Sequence, residues 1–182
     1  SPLRLAARNG HVDVLRTLLA RGAETKVGDD DQQYNNTYWE DQEDINLALL
    51  VAAEAGHLSV VRHLIGRNVD SAATDVNGNT ALHLAVMANH SDVVAELVEA
   101  VVVDATNNEG QTSLHLAAES GNVGITRLLI DHHAQVTRKT NIGDTPLHLA
   151  AKNGHVLAVR ALQTAKNTGS MLNNEDRTAV SL

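Results

Sequence analysis

The sequence predicts an all-α chain, an α-solenoid of about five stacked helix-turn-helix units, and three observations carry that prediction. A similar run of residues returns about every 33 positions along the 182-residue chain. Each return brings two apolar stripes at helical spacing, one short and alanine-rich, one longer and made of Val, Leu and Ile. The chain has no Phe, and its two Tyr and one Trp sit in one acidic segment. Any core must then be packed from small aliphatic side chains, which suits thin layers of short helices.

The repeat is clearest at Thr80 (TALHLAVMANH), Thr112 (TSLHLAAESGN) and Thr145 (TPLHLAAKNGH), with weaker copies at Ser1, Leu47 and Thr178. The spacings between successive starts are 46, 33, 32, 33 and 33 residues. One residue is therefore missing between the third and fourth units, and 13 are inserted between the first and second. In the first stripe, Leu3, Leu5, Ala6 and Ala7 recur as Leu114, Leu116, Ala117 and Ala118 and as Leu147, Leu149, Ala150 and Ala151. Its alanines let neighbouring backbones approach closely. The second stripe is Val14, Leu15, Leu18 and Leu19, repeated as Val60, Val61, Leu64 and Ile65 and as Val93, Val94, Leu97 and Val98. That spacing places four apolar side chains on one helical face. Gly10, Gly56, Gly121 and Gly154 stand where the short helix must stop, because glycine enters the left-handed region without penalty.

Between units lies a turn, Asp75-Val-Asn-Gly78-Asn-Thr80, matched by 107–112 and 140–145. Its Gly (78, 110, 143) supplies a positive φ, and the Thr that follows caps the next helix. On these residues the chain resembles the ankyrin repeat family, with Thr145 to His155 the fullest form of the motif. The resemblance covers nearly the whole chain and implies helix pairs joined by turn or β-hairpin fingers. The expected organisation is one domain, 1–182, with repeats at about 1–27, 45–74, 75–106, 107–139 and 140–172. A partial repeat at 173–182 and an insertion at 28–44 complete it. Neither end carries a polar capping face, so the expectation is a segment of a longer array.

Departures from the motif locate irregularity. Val101 and His133 stand where a Gly usually follows the second helix, and a β-branched residue at positive φ is strained. The turn at 101–104 is expected to take another conformation. Gln163 and Lys166 replace apolar and small residues, so the fifth unit is expected to be irregular near them.

The insertion holds seven acids, Asp29, Asp30, Asp31, Glu40, Asp41, Glu43 and Asp44, with no Lys or Arg, and so carries most of the net charge of −8. The other residues are nearly neutral, which argues against a nucleic-acid or anionic-membrane footprint. Three readings of the insertion stay open. It is a solvated acidic loop, or a lengthened finger presenting Tyr34, Tyr38 and Trp39 among Asp29, Asp30, Asp31 and Glu40 to a basic partner, or a segment whose rings pack on the next repeat. Asp29, Asp31, Gln33, Asn35, Thr37 and Glu40 match the ligand spacing of a calcium loop, but Tyr34 stands where that loop turns on Gly. We expect no metal and no cofactor.

Catalytic motifs are missing from the sequence: there is no phosphate-binding GxxxxGK[ST], no HExxH and no GxSxG. The histidines follow register. His83, His115 and His148 are the motif His, which the resemblance assigns to hydrogen bonds with the Thr hydroxyl and the backbone. His11, His57, His90 and His155 close the short helix.

The expected function is therefore binding without catalysis, as a protein-interaction scaffold. The resemblance implies a concave face of fingers and short helices as the contact. Its expected contact residues are Val76, Asn77, Asn79, Met87, Glu109, Gln111, Glu119, Ile142, Asp144 and Lys152, with Asn108 and Asn141 among the exposed positions. Val76, Met87 and Ile142 stand out as apolar residues on that face. The partner is expected to be a protein or peptide, basic if the finger is the contact. No nucleic acid and no membrane insertion are expected, and the segment is read as an intracellular, cytoplasmic monomer. The alternative is a regulatory or anchoring segment of a larger membrane protein or multidomain enzyme.

Overall fold

In the computed structural model the described residues are 1–24, 42–67 and 69–172. Among them are ten α-helices and no strand, in two compact units, Ser1–Val102 and Val103–Leu182. The first unit holds α1 (Pro2–Arg8), α2 (Val12–Glu24), α3 (Gln42–Ala55), α4 (Leu58–Ile65), α5 (Ala81–Met87) and α6 (Ser91–Leu97). Helices α1, α3 and α5 pack in one row and α2, α4 and α6 in a second. The second unit holds α7 (Ser113–Ser120), α8 (Val123–Asp131), α9 (Pro146–Lys152) and α10 (Val156–Leu172). There α7 packs on α9 and α8 on α10. In both units each odd-numbered helix also packs on its even-numbered partner, or in one word forms a pair.

The motif explains how the short helices begin. Thr80, Thr112 and Thr145 are N-caps whose backbone N–H donates to Nδ1 of the His three residues on, at 3.2, 3.1 and 3.2 Å. Their hydroxyls meet the same nitrogen at 2.8, 2.9 and 2.7 Å. Two polar groups that a helix start would leave open are thus closed locally. Pro2 and Pro146 occupy first-turn positions, where the missing N–H costs nothing. The helices stop at left-handed residues. Gly121 has φ 71°, and in the third repeat Asn89, at φ 63°, stands in for Gly, as its short polar side chain permits.

The predicted irregularities have physical forms. Val101 avoids positive φ and donates its N–H to the Leu97 carbonyl at 3.1 Å, whereas His133 accepts the left-handed conformation at φ 65°. Helix α10 runs for 17 residues, against 8, 7 and 9 for α4, α6 and α8. With Gln163 and Lys166 in place of the usual stop, the second helix simply continues.

One feature was not legible from the motif. Helix α3 starts at Gln42, so the last three residues of the acidic insertion are its first turn. Asp44 in that turn pairs with Arg4 at 2.9 Å. Arg4 holds the place of the motif His in the first repeat, and the acid of the insertion supplies the partner that this substitution needs. Asn46 accepts from the Asp70 backbone N–H at 3.0 Å and so ties the same helix to the turn after α4.

The core is aliphatic, as the absence of Phe requires. Leu3, Leu49, Leu82 and Leu114 of the short helices are fully buried, as are Val60, Val61, Val93 and Val94 of the long ones. Seven residues that the stripes assign to packing depart from this: Leu18, Ile65, Leu116 and Leu147 are half-buried, and Leu5, Val14 and Ala151 are exposed, Leu5 and Val14 at 63% and 51%.

Candidate functional site

The fingers take their shape from their first residue. Asp75 accepts from the N–H groups of Asn77 and Asn79 at 2.9 and 2.8 Å, and the Gly78 N–H donates to the Asp75 carbonyl at 3.0 Å. Asn107 repeats the arrangement toward Glu109, Gln111 and Gly110. Each finger is a tight turn closed by a left-handed Gly, and its two tip residues are exposed.

In the second unit, two fingers lie side by side and are bonded together. The Asn141 N–H donates to the Glu109 carbonyl at 3.0 Å, and its side-chain amide donates to the Asn108 carbonyl at 2.9 Å. A Cβ on Gly110 would lie 2.8 Å from the Asn141 backbone nitrogen, so only Gly lets the fingers approach this closely. A groove of about 280 Å³ results, lined by Asn108, Glu109, Gln111, Thr140, Asn141, Ile142, Asp144 and Leu149. Leu149 is its apolar floor and Ile142, 83% exposed, its apolar rim. Gln111 donates to the Glu119 carboxylate at 3.3 Å, which holds a negative group beside it.

The structure therefore gathers Glu109, Gln111, Ile142 and Asp144 around one groove, with Glu119 attached through Gln111. Val76, Asn77 and Met87 are exposed in the first unit, and Lys152 is exposed on α9 without lining the groove. Asn79 is a correction: it is only 5% exposed, because its side-chain amide donates to the Asp75 carboxylate at 3.0 Å and closes the finger. Thr140 and Leu149 were missed, since the motif reads them as turn and core. Tyr34, Tyr38, Trp39, Asp29, Asp30, Asp31 and Glu40 lie outside the described residues, as does the calcium-loop match.

A three-copy model of ankyrin repeats matches residues 49–140, and the single ankyrin repeat model matches residues 1–30 and 142–173. The chain belongs to the ankyrin repeat family. It is 29% identical over 173 residues to ankyrin repeat and SAM domain-containing protein 6 of Danio rerio, covering 75% of this chain and 22% of that protein. It is 33% identical over 119 residues to leucine-rich repeat serine/threonine-protein kinase 1 of Caenorhabditis elegans, covering 64% and 5%. With the nuclear factor NF-kappa-B p105 subunit of Rattus norvegicus it shares 33% over 140 residues, covering 75% and 14%. The chain thus spans less than a quarter of the length of these relatives. Ankyrin repeats generally mediate protein–protein interaction and are typically non-catalytic, and these relatives are larger proteins. No described helix is long and apolar enough to cross a membrane.

The ankyrin histidines do two different jobs. The motif His keeps its helix start closed, and His115 also uses Nε2, which lies 3.1 Å from the Asp144 carbonyl of the next finger. The His that follows the short helix reaches back across one repeat. Nε2 of His57, His90 and His155 meets the carbonyl of Arg8, Glu54 and Glu119 at 2.9, 3.0 and 2.9 Å. Each ring rests on the preceding repeat's Gly10, Gly56 or Gly121. Register alone places these histidines without naming a partner, because the partner lies one period away.

Because Nδ1 of His115 accepts from Thr112 N–H, the ring must stay neutral there. Burial accordingly lowers the His115 pKa, outweighing the Asp144 and Arg138 backbone groups that favour the charged ring. His63 is lowered too, by burial first and then by Arg67 and Arg16. A depressed histidine binds fewer protons folded than unfolded, so its contribution is complete above the unfolded value of about 6.5 and is lost as pH falls through the folded one. Urea midpoints measured between about pH 7.5 and 5 are expected to fall with acidity, and less steeply in His115→Gln.

Proposed function

We propose that this chain is a non-catalytic protein-interaction module that holds an extended peptide segment in the groove between the fingers of the second unit. One observation carries the reading: Ile142, 83% exposed, rims a pocket floored by Leu149. A large aliphatic side chain at a turn tip gains little in a free monomer but removes apolar area from water when a partner covers it. About 280 Å³ suits one or two partner side chains rather than a drug-sized molecule. Glu109, Asp144 and Glu119 surround it, so the segment favoured is an apolar residue flanked by Lys or Arg.

The test is a selection of displayed random peptides on the immobilised chain. Enriched peptides are expected to pair an aliphatic residue with a basic one, to bind at least tenfold more weakly to Ile142→Glu, and to bind a copy lacking residues 29–41 unchanged. Peptides that ignore Ile142→Glu would overturn the groove. Peptides lost only with residues 29–41 would move recognition to the acidic aromatic finger. A second reading rests on how little of its relatives the chain spans, 5 to 22% of their length: the groove is filled by a segment of the same, larger protein, and the enriched sequences would then resemble that protein itself.

A further inference from the structure

The long helices carry an arginine at one register of the repeat. Arg16, Arg62, Arg127 and Arg160 stand five residues after His11, His57, Asn122 and His155. In the first unit these charges are met from within. Arg62 donates from Nε to the Glu96 carboxylate of α6 at 2.7 Å, and Arg16 lies 3.7 Å from Asp13 of its own helix. Glu96 stands six residues after His90, and the residue at that register in the fifth repeat, six after His155, is Ala161. Helix α10 packs on α8 as α6 packs on α4. The place of the acid beside Arg127 is thus taken by a methyl group.

A groove of about 440 Å³ opens there, between Arg127, Ile130 and Asp131 of α8 and Arg160, Ala161 and Thr164 of α10. Both arginines are exposed, and neither guanidinium has an ion pair or hydrogen bond among the described residues. Asp131, one turn after Arg127, offsets one of the two positive charges without bonding either. The single charge that remains matches one carboxylate rather than a polyanion such as a nucleic-acid backbone, which calls for a row of cations. Ile130 and Ala161 are half-buried and give the groove an apolar floor.

We propose that the groove between α8 and α10 is a second binding surface, taking a segment of a partner protein in which one Glu or Asp neighbours an aliphatic residue. The carboxylate accepts from Arg127 as Glu96 accepts from Arg62, which makes the 2.7 Å pair of the first unit the template. The aliphatic side chain covers Ile130 and Ala161. An exposed ion pair supplies selectivity and little affinity, and the covered apolar area supplies the rest. This surface shares no residue with the groove between the fingers, where Glu109, Asp144 and Glu119 favour the opposite charge.

The probe is a capped peptide, Gly-Leu-Glu-Leu-Gly, titrated into the isotope-labelled chain and followed by amide chemical shifts. Shifts are expected to concentrate in 127–131 and 160–165, and the peptide with Gln in place of Glu should bind about fivefold more weakly. In Arg127→Gln, an exposed position where folding is undisturbed, the Glu and Gln peptides should bind alike. Ala161→Glu restores an internal acid beside Arg127 and should abolish binding without lowering the urea midpoint. Shifts absent from these two segments, or a preference for Glu that survives Arg127→Gln, would overturn the proposal. Concentration-dependent self-association of the free chain, dissolved both by Ala161→Glu and by removal of residues 29–41, would overturn it in favour of a second copy's acidic segment.

Discussion

Gly121→Ala is expected to lower stability by roughly 2–4 kcal/mol, while Gly154→Ala costs only about 1 kcal/mol, although both glycines end the same helix of their repeats. Their backbones are alike, at φ 71° and 76°, so the left-handed penalty for an L-residue, about 1–2 kcal/mol, is common to both. What differs is the space above them. A Cβ on Gly121 would lie 2.4 Å from Nδ1 of His155, whereas one on Gly154 meets nothing within 4 Å. Alanine at 121 must push the ring away and break its 2.9 Å contact with the Glu119 carbonyl, adding about 1 kcal/mol for the bond and more for the repacking. Urea unfolding of the two variants measures the difference. Equal losses would mean that the ring moves aside freely and that the inter-repeat contact contributes little.

That comparison also marks how far the sequence could be read. The glycines, the Thr caps and both apolar stripes were legible because each depends on neighbours within one repeat, where spacing translates directly into a helical face or a positive φ. The backward reach of His57, His90 and His155 was not, since a hydrogen bond across one period leaves no local signature. The same limit explains Asn79. A polar residue after the finger Gly reads as exposed, and only the geometry of the closed turn shows its amide spent on Asp75.

The groove was half legible for a related reason. Glu109, Gln111, Ile142 and Asp144 were each nameable as surface residues, but their convergence depends on Asn141 bonding the two fingers together. Leu149 contributes the floor while belonging to an alanine-rich helix whose pattern speaks only of packing. Arg4 is the opposite case. A departure from the motif drew attention to the position, and the 2.9 Å pair with Asp44 supplies the reason, because an Arg in place of the motif His cannot accept from the cap and looks outward for an acid.

Leu114→Ala is expected to destabilise the chain by about 2–5 kcal/mol, and Leu116→Ala by clearly less. In the pattern Leu-x-Leu-Ala-Ala the two leucines look alike, and periodicity alone assigns both to the core. Two residues apart on a helix they point about 200° away from each other, so a short helix that packs on one side cannot bury both. The structure resolves which one wins: Leu114 is fully buried and Leu116 half-buried. The first leucine repeats as Leu3, Leu49 and Leu82, all buried, and only in the fifth repeat does the order reverse, with Leu147 half-buried and Leu149 buried. The second varies more from repeat to repeat, and Leu84 of the third repeat is buried as well. Leu149 is covered, Leu116 partly, and Leu5 is open. Removing the Leu114 side chain leaves a cavity that rigid neighbours cannot close, whereas water reaches the space left by Leu116. Thermal unfolding of the two single variants decides the matter, and a loss at Leu116 as large as that at Leu114 would contradict this division of the motif.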